Sequence, residues 1–317
     1  MPLLPHLWTI TPRLRHAMRP QVPPEARPWT MTIEDPRIGP VRLSGRWREL
    51  QGSDEAVVVV HGLGGCTESH YMLRAALAVE EAGLSCLRIN LRGCDRQGED
   101  FYHAALTADL HAALASEELR QYRRLYVLGY SLGGHMALRL ATEEADPRLA
   151  AAAALCAPLD LARSQVEIDS QGLGVYRRYM LGNLKKIYAG IAARRPVPFP
   201  VERLGEIRFI REWDEWIVAP RHGFASADDY YARASVAPRL PDLRVPSLLV
   251  NAESDPMVPA RSVRPVLENP PPHLHVRWLP RGGHVAFPRR MNAELGEEAG
   301  EDLGVDSQVL GWLRRQD

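Results

Sequence analysis

The stretch that decides the fold is Gly129-Tyr-Ser-Leu-Gly133, a glycine-x-serine-x-glycine motif. The apolar run before it, residues 125–128, is typical of a buried strand, and residues 134–143 after it are typical of a helix. A tight turn between a strand and a helix strains the backbone, and flanking glycines let neighbouring chain approach without Cβ clashes. The motif therefore predicts that the Ser131 hydroxyl lies above a sheet end and faces the amides of a helix N-terminus.

Apolar runs and helical segments alternate on both sides of this motif. Residues 56–60 are an alanine followed by four valines, which is typical of a strand covered on both faces. Further strands are predicted at 41–47, 84–90, 125–128, 149–156, 247–251 and 275–279, and helices at 69–82, 104–118, 134–143 and 305–315. The alternation predicts an α/β fold with a mostly parallel central sheet and helices on both faces.

Two segments break this alternation. Residues 1–40 begin with a proline-rich stretch, and we expect them to form an N-terminal extended arm on the surface. Residues 159–240 are helix-like, rich in arginine and aromatic residues, and interrupt the sheet between two strands, which favours a helical cap insertion. The expected organisation is an arm at 1–40, a core in two parts at 41–158 and 241–317, and a cap at 159–240.

A serine nucleophile needs a base, and the base needs a group that orients it. Among eleven histidines His284 is the best candidate, because it follows Gly282-Gly283 directly after the last predicted strand. Asp255 has the matching position after the strand that ends at residue 251. Taken alone, His284 is better explained as a surface residue of a glycine-rich turn, and Asp255 is also plausible as a turn residue before Pro256. However, open α/β sheets gather functional groups at the carboxyl ends of their strands. We therefore predict Ser131, Asp255 and His284 as the catalytic residues.

An acyl-transfer reaction also needs donors for the developing oxyanion. The backbone N–H of Leu132 at the helix start is one candidate, and Leu63 in the loop His61-Gly-Leu-Gly-Gly65 is the other. The competing interpretation of this loop is a dinucleotide site, but that pattern needs glycine at position 67, where Thr67 stands. The sequence also lacks a phosphate-loop motif. We thus expect no cofactor.

Further motifs in this order make the chain similar to one branch of the α/β-hydrolase superfamily. That branch holds bacterial hydrolases, eukaryotic acylglycerol lipases and yeast medium-chain fatty-acid ethyl ester synthase/esterases. The motifs are His61-Gly-Leu-x-Gly65, Asn90-x-Arg-Gly-Cys94, Tyr102-His103, Gly129-Tyr-Ser-Leu-Gly-Gly134, Ala157-Pro158, Arg211-Glu-Trp-Asp214, His222-Gly223, Asp229-Tyr-Tyr231 with Ser235, Asp255-Pro256 and Gly282-Gly-His-Val285. The resemblance runs from about residue 40 onward and implies the same serine, aspartate and histidine as a triad, with a helical cap that holds the acyl chain. His135 and Trp213 depart from the commoner asparagine and phenylalanine, so acyl-chain preference is not carried over.

Composition narrows the remaining classes of protein. The 317 residues carry 39 basic and 39 acidic side chains, and a neutral chain argues against nucleic-acid binding. Four cysteines without a C-x-x-C pair predict reduced thiols and a cytoplasmic protein. We expect neither a signal peptide nor a transmembrane segment. An H-x-H at 273–275 without a cysteine or histidine cluster makes a metal site unfavourable.

These observations together predict a serine carboxylesterase that hydrolyses short- to medium-chain acyl esters through an acyl-enzyme. The alternatives are an acyltransferase that delivers the acyl group to an alcohol, an acylglycerol lipase, or a non-catalytic ligand-binding protein on the same fold. The partner is then a small-molecule ester, and the chain is a monomer or a homodimer. We expect four further side chains to contact substrate, namely those of His61, Tyr130, Trp213 and Tyr230.

Overall fold

Eight strands form a single sheet in the computed structural model, which describes residues 4–171, 174–296 and 304–316. The strands are β1 (Arg27–Asp35), β2 (Gly39–Arg48), β3 (Glu55–Val60), β4 (Ser85–Asn90), β5 (Arg124–Tyr130), β6 (Leu149–Leu155), β7 (Ser247–Ala252) and β8 (Leu274–Leu279). Their order is β1-β2-β4-β3-β5-β6-β7-β8, and every pair from β4 to β8 is parallel. β2 pairs antiparallel with β1 and with β4, so the prediction of a mostly parallel sheet is confirmed.

Helices cover both faces of this sheet. They are α1 (Leu4–Met18), α2 (His70–Glu81), α3 (Ala108–Leu114), α4 (Leu132–Ala141), α5 (Leu161–Ser170), α6 (Val175–Ala192), α7 (Ile210–Trp213), α8 (Ala219–His222), α9 (Ala227–Ala234), α10 (Ala260–Val263) and α11 (Val305–Arg314). A π-helical segment, Asp214–Val218, joins α7 to α8. Among the helices of the described ranges, none has the length and hydropathy needed to cross a membrane.

The central strands are buried along their whole length. All six residues of β3 are buried, as are all six of β4 and of β7. Apolar runs without polar alternation form such strands, because helices cover them on both faces. The burial agrees with the valine run from which the sheet was predicted.

The prediction of an extended arm over residues 1–40 is wrong. Residues 4–18 form the helix α1, and β1 pairs in full with β2, from Arg27 opposite Trp47 to Asp35 opposite Gly39. Pro5 lies in the first helical turn, where its missing N–H costs nothing, whereas Pro12 lies inside the helix, a position where proline ordinarily disfavours a helix. The alternation around the buried Trp29 is the strand signal that was overlooked.

The segment between β6 and β7 is helical. It contains α5 to α9, and its described residues form no sheet strand. Side chains from α5, α6 and α9 line a cavity together with residues that follow β5, β7 and β8. These helices therefore cover the carboxyl ends of the parallel strands, where a functional site is expected.

Candidate active site

The turn at Ser131 has the strained backbone that its motif predicts. Ser131 is the N-cap of α4 with a φ of 53° and a ψ of −120°, which a non-glycine residue rarely adopts. A Cβ on Gly133 would lie 2.4 Å from the carbonyl oxygen of Val60, and one on Gly129 would lie 2.1 Å from the carbonyl oxygen of Gly133. Glycine at both positions is thus a steric requirement of the turn.

The loop at residues 61–65 lies directly against this turn. A Cβ on Gly62 would lie 2.9 Å from the Ser131 Cβ, so the backbone of the loop and the serine are in contact. Two tyrosine hydroxyls accept hydrogen bonds from the loop: Tyr71 from the Gly62 N–H at 3.0 Å and Tyr102 from the Gly64 N–H at 2.7 Å. The loop is therefore held rigidly beside the serine.

The backbone N–H groups of Leu63 and Leu132, the two predicted oxyanion donors, lie near Ser131. Neither donates a hydrogen bond within the part of the chain that the structure describes. Both residues line the cavity that contains Ser131, and Leu132 is the first residue of α4. Free donors beside a serine hydroxyl, one of them at a helix N-terminus, are the kind of groups that an oxyanion site would need.

His284 and Asp255 form a buried pair, as the sequence predicts. Nδ1 of His284 lies 2.9 Å from Oδ2 of Asp255, and both residues are buried. The other carboxylate oxygen, Oδ1, accepts the backbone N–H groups of Met257 at 2.8 Å and Val258 at 2.9 Å. The carboxylate is thereby fixed in one orientation and can orient the imidazole ring.

Ser131 and His284 line the same cavity, but they are not hydrogen-bonded to each other in the described ranges. Bonds of this kind are often long in a site without substrate and shorten in the reacting complex. The structure therefore brings Ser131 to the His284–Asp255 pair without the final hydrogen bond.

The cavity has two parts that meet at Ser131 and His284. The inner part, about 80 Å³, is lined mainly by apolar cap side chains that include Leu161, Ile168, Met180, Leu184, Ile210 and Trp213. The outer part, about 470 Å³, has a mixed lining, in which apolar side chains such as Ile10 and Val175 accompany polar ones that include Arg13, His16, Glu68, Ser69, Arg96 and Asn183. A reacting group at the junction can thus extend an apolar portion into the smaller inner part and a bulkier portion, with or without polar groups, into the outer part.

Two of the four expected substrate contacts are corrected by the structure. His61 is fully buried: its Nδ1 donates to the Gly62 carbonyl at 2.8 Å, and its Nε2 accepts the Leu91 N–H at 3.0 Å. Burial lowers the pKa of His61 to about 4, so the ring stays neutral and supports the loop from below. Tyr130 is also fully buried, and its hydroxyl donates to Asp306. Neither side chain lines the inner or the outer cavity.

The other two expected contacts do face the cavity. Trp213 and Tyr230 line its inner part together with Ser131. The Tyr230 hydroxyl also accepts the backbone N–H of Ala104 at 3.0 Å, which fixes its ring. His135, considered a packing residue from its helical position, is buried between the carbonyl oxygens of Pro158 and Ala234.

The structure places three further residues at the site that the sequence did not predict. The Thr9 hydroxyl oxygen accepts the backbone N–H of His284 at 2.9 Å. The Cys156 thiol bridges the chain on both sides of His284, donating to the Gly283 carbonyl at 3.8 Å and accepting the Val285 N–H at 3.4 Å. Asp214 lines the inner cavity. Of the three, only Asp214 belongs to one of the sequence motifs described above, Arg211-Glu-Trp-Asp214.

Cys156, Asp255 and His284 also lie close enough together to be considered as metal ligands. A thiol ligates a metal as the thiolate. Burial, together with the charge of Asp255, raises the pKa of Cys156 well above its usual value. We interpret the group as the His–Asp pair and a neutral supporting thiol.

The fold and the site together define the class of protein. The model of the alpha/beta hydrolase family matches residues 57–297, and the chain belongs to that family. It is a hydrolase with a helical cap over the carboxyl ends of its sheet.

Among known proteins, the chain is similar to the candidate esterase YheT of Escherichia coli K12. The two are 33% identical over 97% of this chain and 89% of that protein. It is 28% identical to the medium-chain fatty acid ethyl ester synthase/esterase 2 of Saccharomyces cerevisiae, over 86% of this chain and 64% of the yeast protein.

Solved structures share the fold at low identity. The esterase Pf2001 of Pyrococcus furiosus superposes with a TM-score of 0.58 at 18% identity, over 92% of this chain and 93% of that one. The 2,6-dihydroxy-pseudo-oxynicotine hydrolase superposes with a TM-score of 0.54 at 19% identity, over 95% of this chain and 70% of that one.

Proposed function

We propose that the protein is a serine carboxylesterase that hydrolyses short- to medium-chain acyl esters. The observation that carries the proposal is the 2.9 Å contact between His284 and Asp255 in the cavity that the strained Ser131 also lines. Relatives from bacteria and yeast are named as esterases, which supports the same reaction class.

In the proposed reaction, Ser131 Oγ attacks the ester carbonyl while His284 Nε2 takes the hydroxyl proton. Asp255 holds Nδ1–H of His284 and stabilises the imidazolium that forms. The N–H groups of Leu63 and Leu132 bind the oxyanion, each contributing roughly 3 kcal/mol to transition-state stabilisation. His284 then protonates the departing alkoxide, and water releases the acid from the acyl-enzyme by the same steps.

In the proposed complex, each part of the cavity holds one half of the ester. The acyl chain enters the inner part, because its walls are mainly apolar and include Trp213. The alcohol portion lies in the outer part, which is larger and offers polar side chains beside its apolar ones. An inner volume of about 80 Å³ is small, and it favours short acyl chains over long ones.

Hydrolysis of p-nitrophenyl esters from acetate to palmitate, with fluorophosphonate labelling, tests the proposal. We expect the highest kcat/KM at short or medium length, and labelling that is lost in Ser131→Ala. Ser170→Ala removes an exposed hydroxyl at the end of α5 and is the matched control. Full turnover by Ser131→Ala would disprove the nucleophile, and a steady rise to palmitate would disprove the chain-length range. A chain that neither labels nor turns over would be a binding protein.

Acyl transfer to an alcohol is the second candidate. It is favoured by the yeast relative, whose name combines synthase and esterase. The same acyl-enzyme serves both reactions, and the outer cavity has room for either water or an alcohol. Product analysis in the presence of ethanol separates them: ethyl ester as the main product supports transfer, and free acid supports hydrolysis.

A further inference from the structure

We propose that α1 is a docking surface for an anionic lipid membrane and that it brings the mouth of the cavity to that membrane. The surface consists of the apolar stripe of α1, defined as Leu7, Ile10, Leu14 and Met18, with the arginines beside it. The inference goes beyond the proposed esterase activity, because docking does not depend on catalysis.

The apolar stripe points away from the protein. The exposed fractions are 56% for Leu7, 38% for Ile10, 56% for Leu14 and 74% for Met18. At about 100° per residue, the four side chains fall within an arc of about 80° on one face of the helix. The opposite face holds Pro5, which is buried, and Thr9. A helix that packs on the protein by one face and exposes large apolar side chains on the other is expected to bind a further surface through the exposed face.

The charge around the stripe identifies that partner. Residues 1–24 contain three arginines and no aspartate or glutamate. Arg13 is exposed beyond one edge of the stripe, and Arg15 and Arg19 are exposed beyond the other. An apolar face between basic edges is the pattern of a helix that lies in the interface of an anionic membrane. The uniform positive charge disfavours a second copy of the same face.

The stripe continues onto the cap at the cavity mouth. Val175 and Tyr179, one turn apart on α6, are 49% and 42% exposed, and both line the outer cavity with Ile10. The Arg13 guanidinium stacks on the Tyr179 ring at 3.8 Å. An apolar rim from two elements therefore surrounds the opening through which substrate reaches Ser131.

The inner face of α1 is tied to the active site. Thr9 accepts the backbone N–H of His284, and the His6 ring lies 2.8 Å from the Tyr176 hydroxyl of α6. Because these contacts hold α1 in place, they fix the position of its apolar stripe relative to the cavity mouth. A membrane bound to the stripe would thus lie beside the opening.

Vesicle flotation of the full-length Ser131→Ala protein tests the docking surface without any turnover of lipid. We expect binding to vesicles of phosphatidylcholine with phosphatidylglycerol and little binding to phosphatidylcholine alone. Leu14→Glu with Met18→Glu should lower the binding at least tenfold, and Arg15→Gln with Arg19→Gln about fivefold for each arginine removed. Val166→Glu changes a side chain of similar exposure, 59%, outside the stripe and is the matched control.

Several outcomes would overturn the proposal. They are absence of binding to the anionic vesicles, equal binding to both vesicle types, and unchanged binding by both double variants. A dimer that Leu14→Glu with Met18→Glu converts to a monomer would assign the stripe to a second copy instead. The arginine variant changes only exposed side chains, so it decides the outcome even if the apolar variant does not fold. Loss of Ser131 labelling would contradict only the proposed function.

Discussion

The hydroxyl of Tyr130, the residue before Ser131, donates a 2.5 Å hydrogen bond to Asp306 on α11. Asp306 in turn pairs with Arg74 of α2, and Arg74 donates to the Val285 carbonyl at 3.1 Å. The residue before the proposed nucleophile and the residue after the proposed base are therefore joined through one buried ion pair. We expect this pair to position Ser131 and His284 relative to each other.

Asp306→Asn should lower the free energy of unfolding by about 3 kcal/mol, because it leaves Arg74 largely buried without its charged partner. It should also lower kcat more than it raises KM, since positioning and not binding is disturbed. Urea unfolding and steady-state kinetics measure the two effects. Asp54→Asn removes the carboxylate of an exposed pair with Arg123 and should have little effect. Equal losses in the two variants would contradict the positioning role.

Asp255→Asn should lower kcat about 10⁴-fold at pH 7. The N–H groups of Met257 and Val258 already require an acceptor at Oδ1, so the new amide must turn its NH₂ toward His284. The ring then presents its unprotonated Nδ1 to that NH₂ and carries its proton on Nε2, where it cannot accept from Ser131. A loss below tenfold would show that Asp255 does not set the tautomer.

The part of the site that local sequence encodes was predictable. Ser131, Asp255 and His284 each follow a strand that its own residues define, and parallel strands bring their carboxyl ends together. By contrast, the contact between Thr9 and His284 joins residues 275 positions apart, and no local pattern predicts it. The helical state of residues 4–18 was not predictable from local sequence, because Pro12 stands inside the helix, where proline ordinarily argues against one.

His61 and Tyr130 show where sequence position was insufficient. Both stand beside residues that line the cavity, and both side chains point beneath it into the core. Which neighbour faces the cavity depends on the exact direction of the chain at the strand end. Polar atoms satisfied by Leu91 and Asp306, far away in sequence, hold the two side chains there.

Asp214→Asn should remove a pH dependence of stability. Burial raises the pKa of Asp214 from 3.8 to about 7, although its hydrogen bond with Tyr231 opposes the rise. The folded chain thus keeps a proton that the unfolded chain releases, so stability falls as pH rises from about 4 to about 7. The contribution is at most about 4 kcal/mol. Asparagine still accepts from Tyr231, so urea unfolding of the two proteins should diverge only in this slope. Identical slopes would refute the raised pKa.

Trp213→Leu should shift the preferred acyl chain to greater length. Trp213 lines both the inner cavity and a neighbouring space of about 30 Å³, and we expect a smaller side chain at this position to join the two. Each methylene newly buried is worth about 0.8 kcal/mol, or about fourfold in kcat/KM. The p-nitrophenyl ester series measures the shift. Trp216→Leu, which changes a tryptophan of the same segment that is 39% exposed, should leave the preference unchanged. A shift in both variants would point to loosening of the cap instead.

Gly133→Ala and Gly182→Ala should have opposite effects on stability. A Cβ at 133 would lie 2.4 Å from the Val60 carbonyl oxygen and 2.5 Å from that of His61, both backbone atoms of the central sheet and its loop. These atoms cannot move aside without opening the turn at Ser131, so the variant should lose activity and either unfold or melt at a much lower temperature. At position 182, inside α6, a Cβ meets nothing within 4 Å, and alanine should stabilise the helix by about 1 kcal/mol. Thermal melts of the two variants measure the contrast. A Gly133→Ala protein with the wild-type melting temperature and full turnover would mean that the turn does not require its glycine.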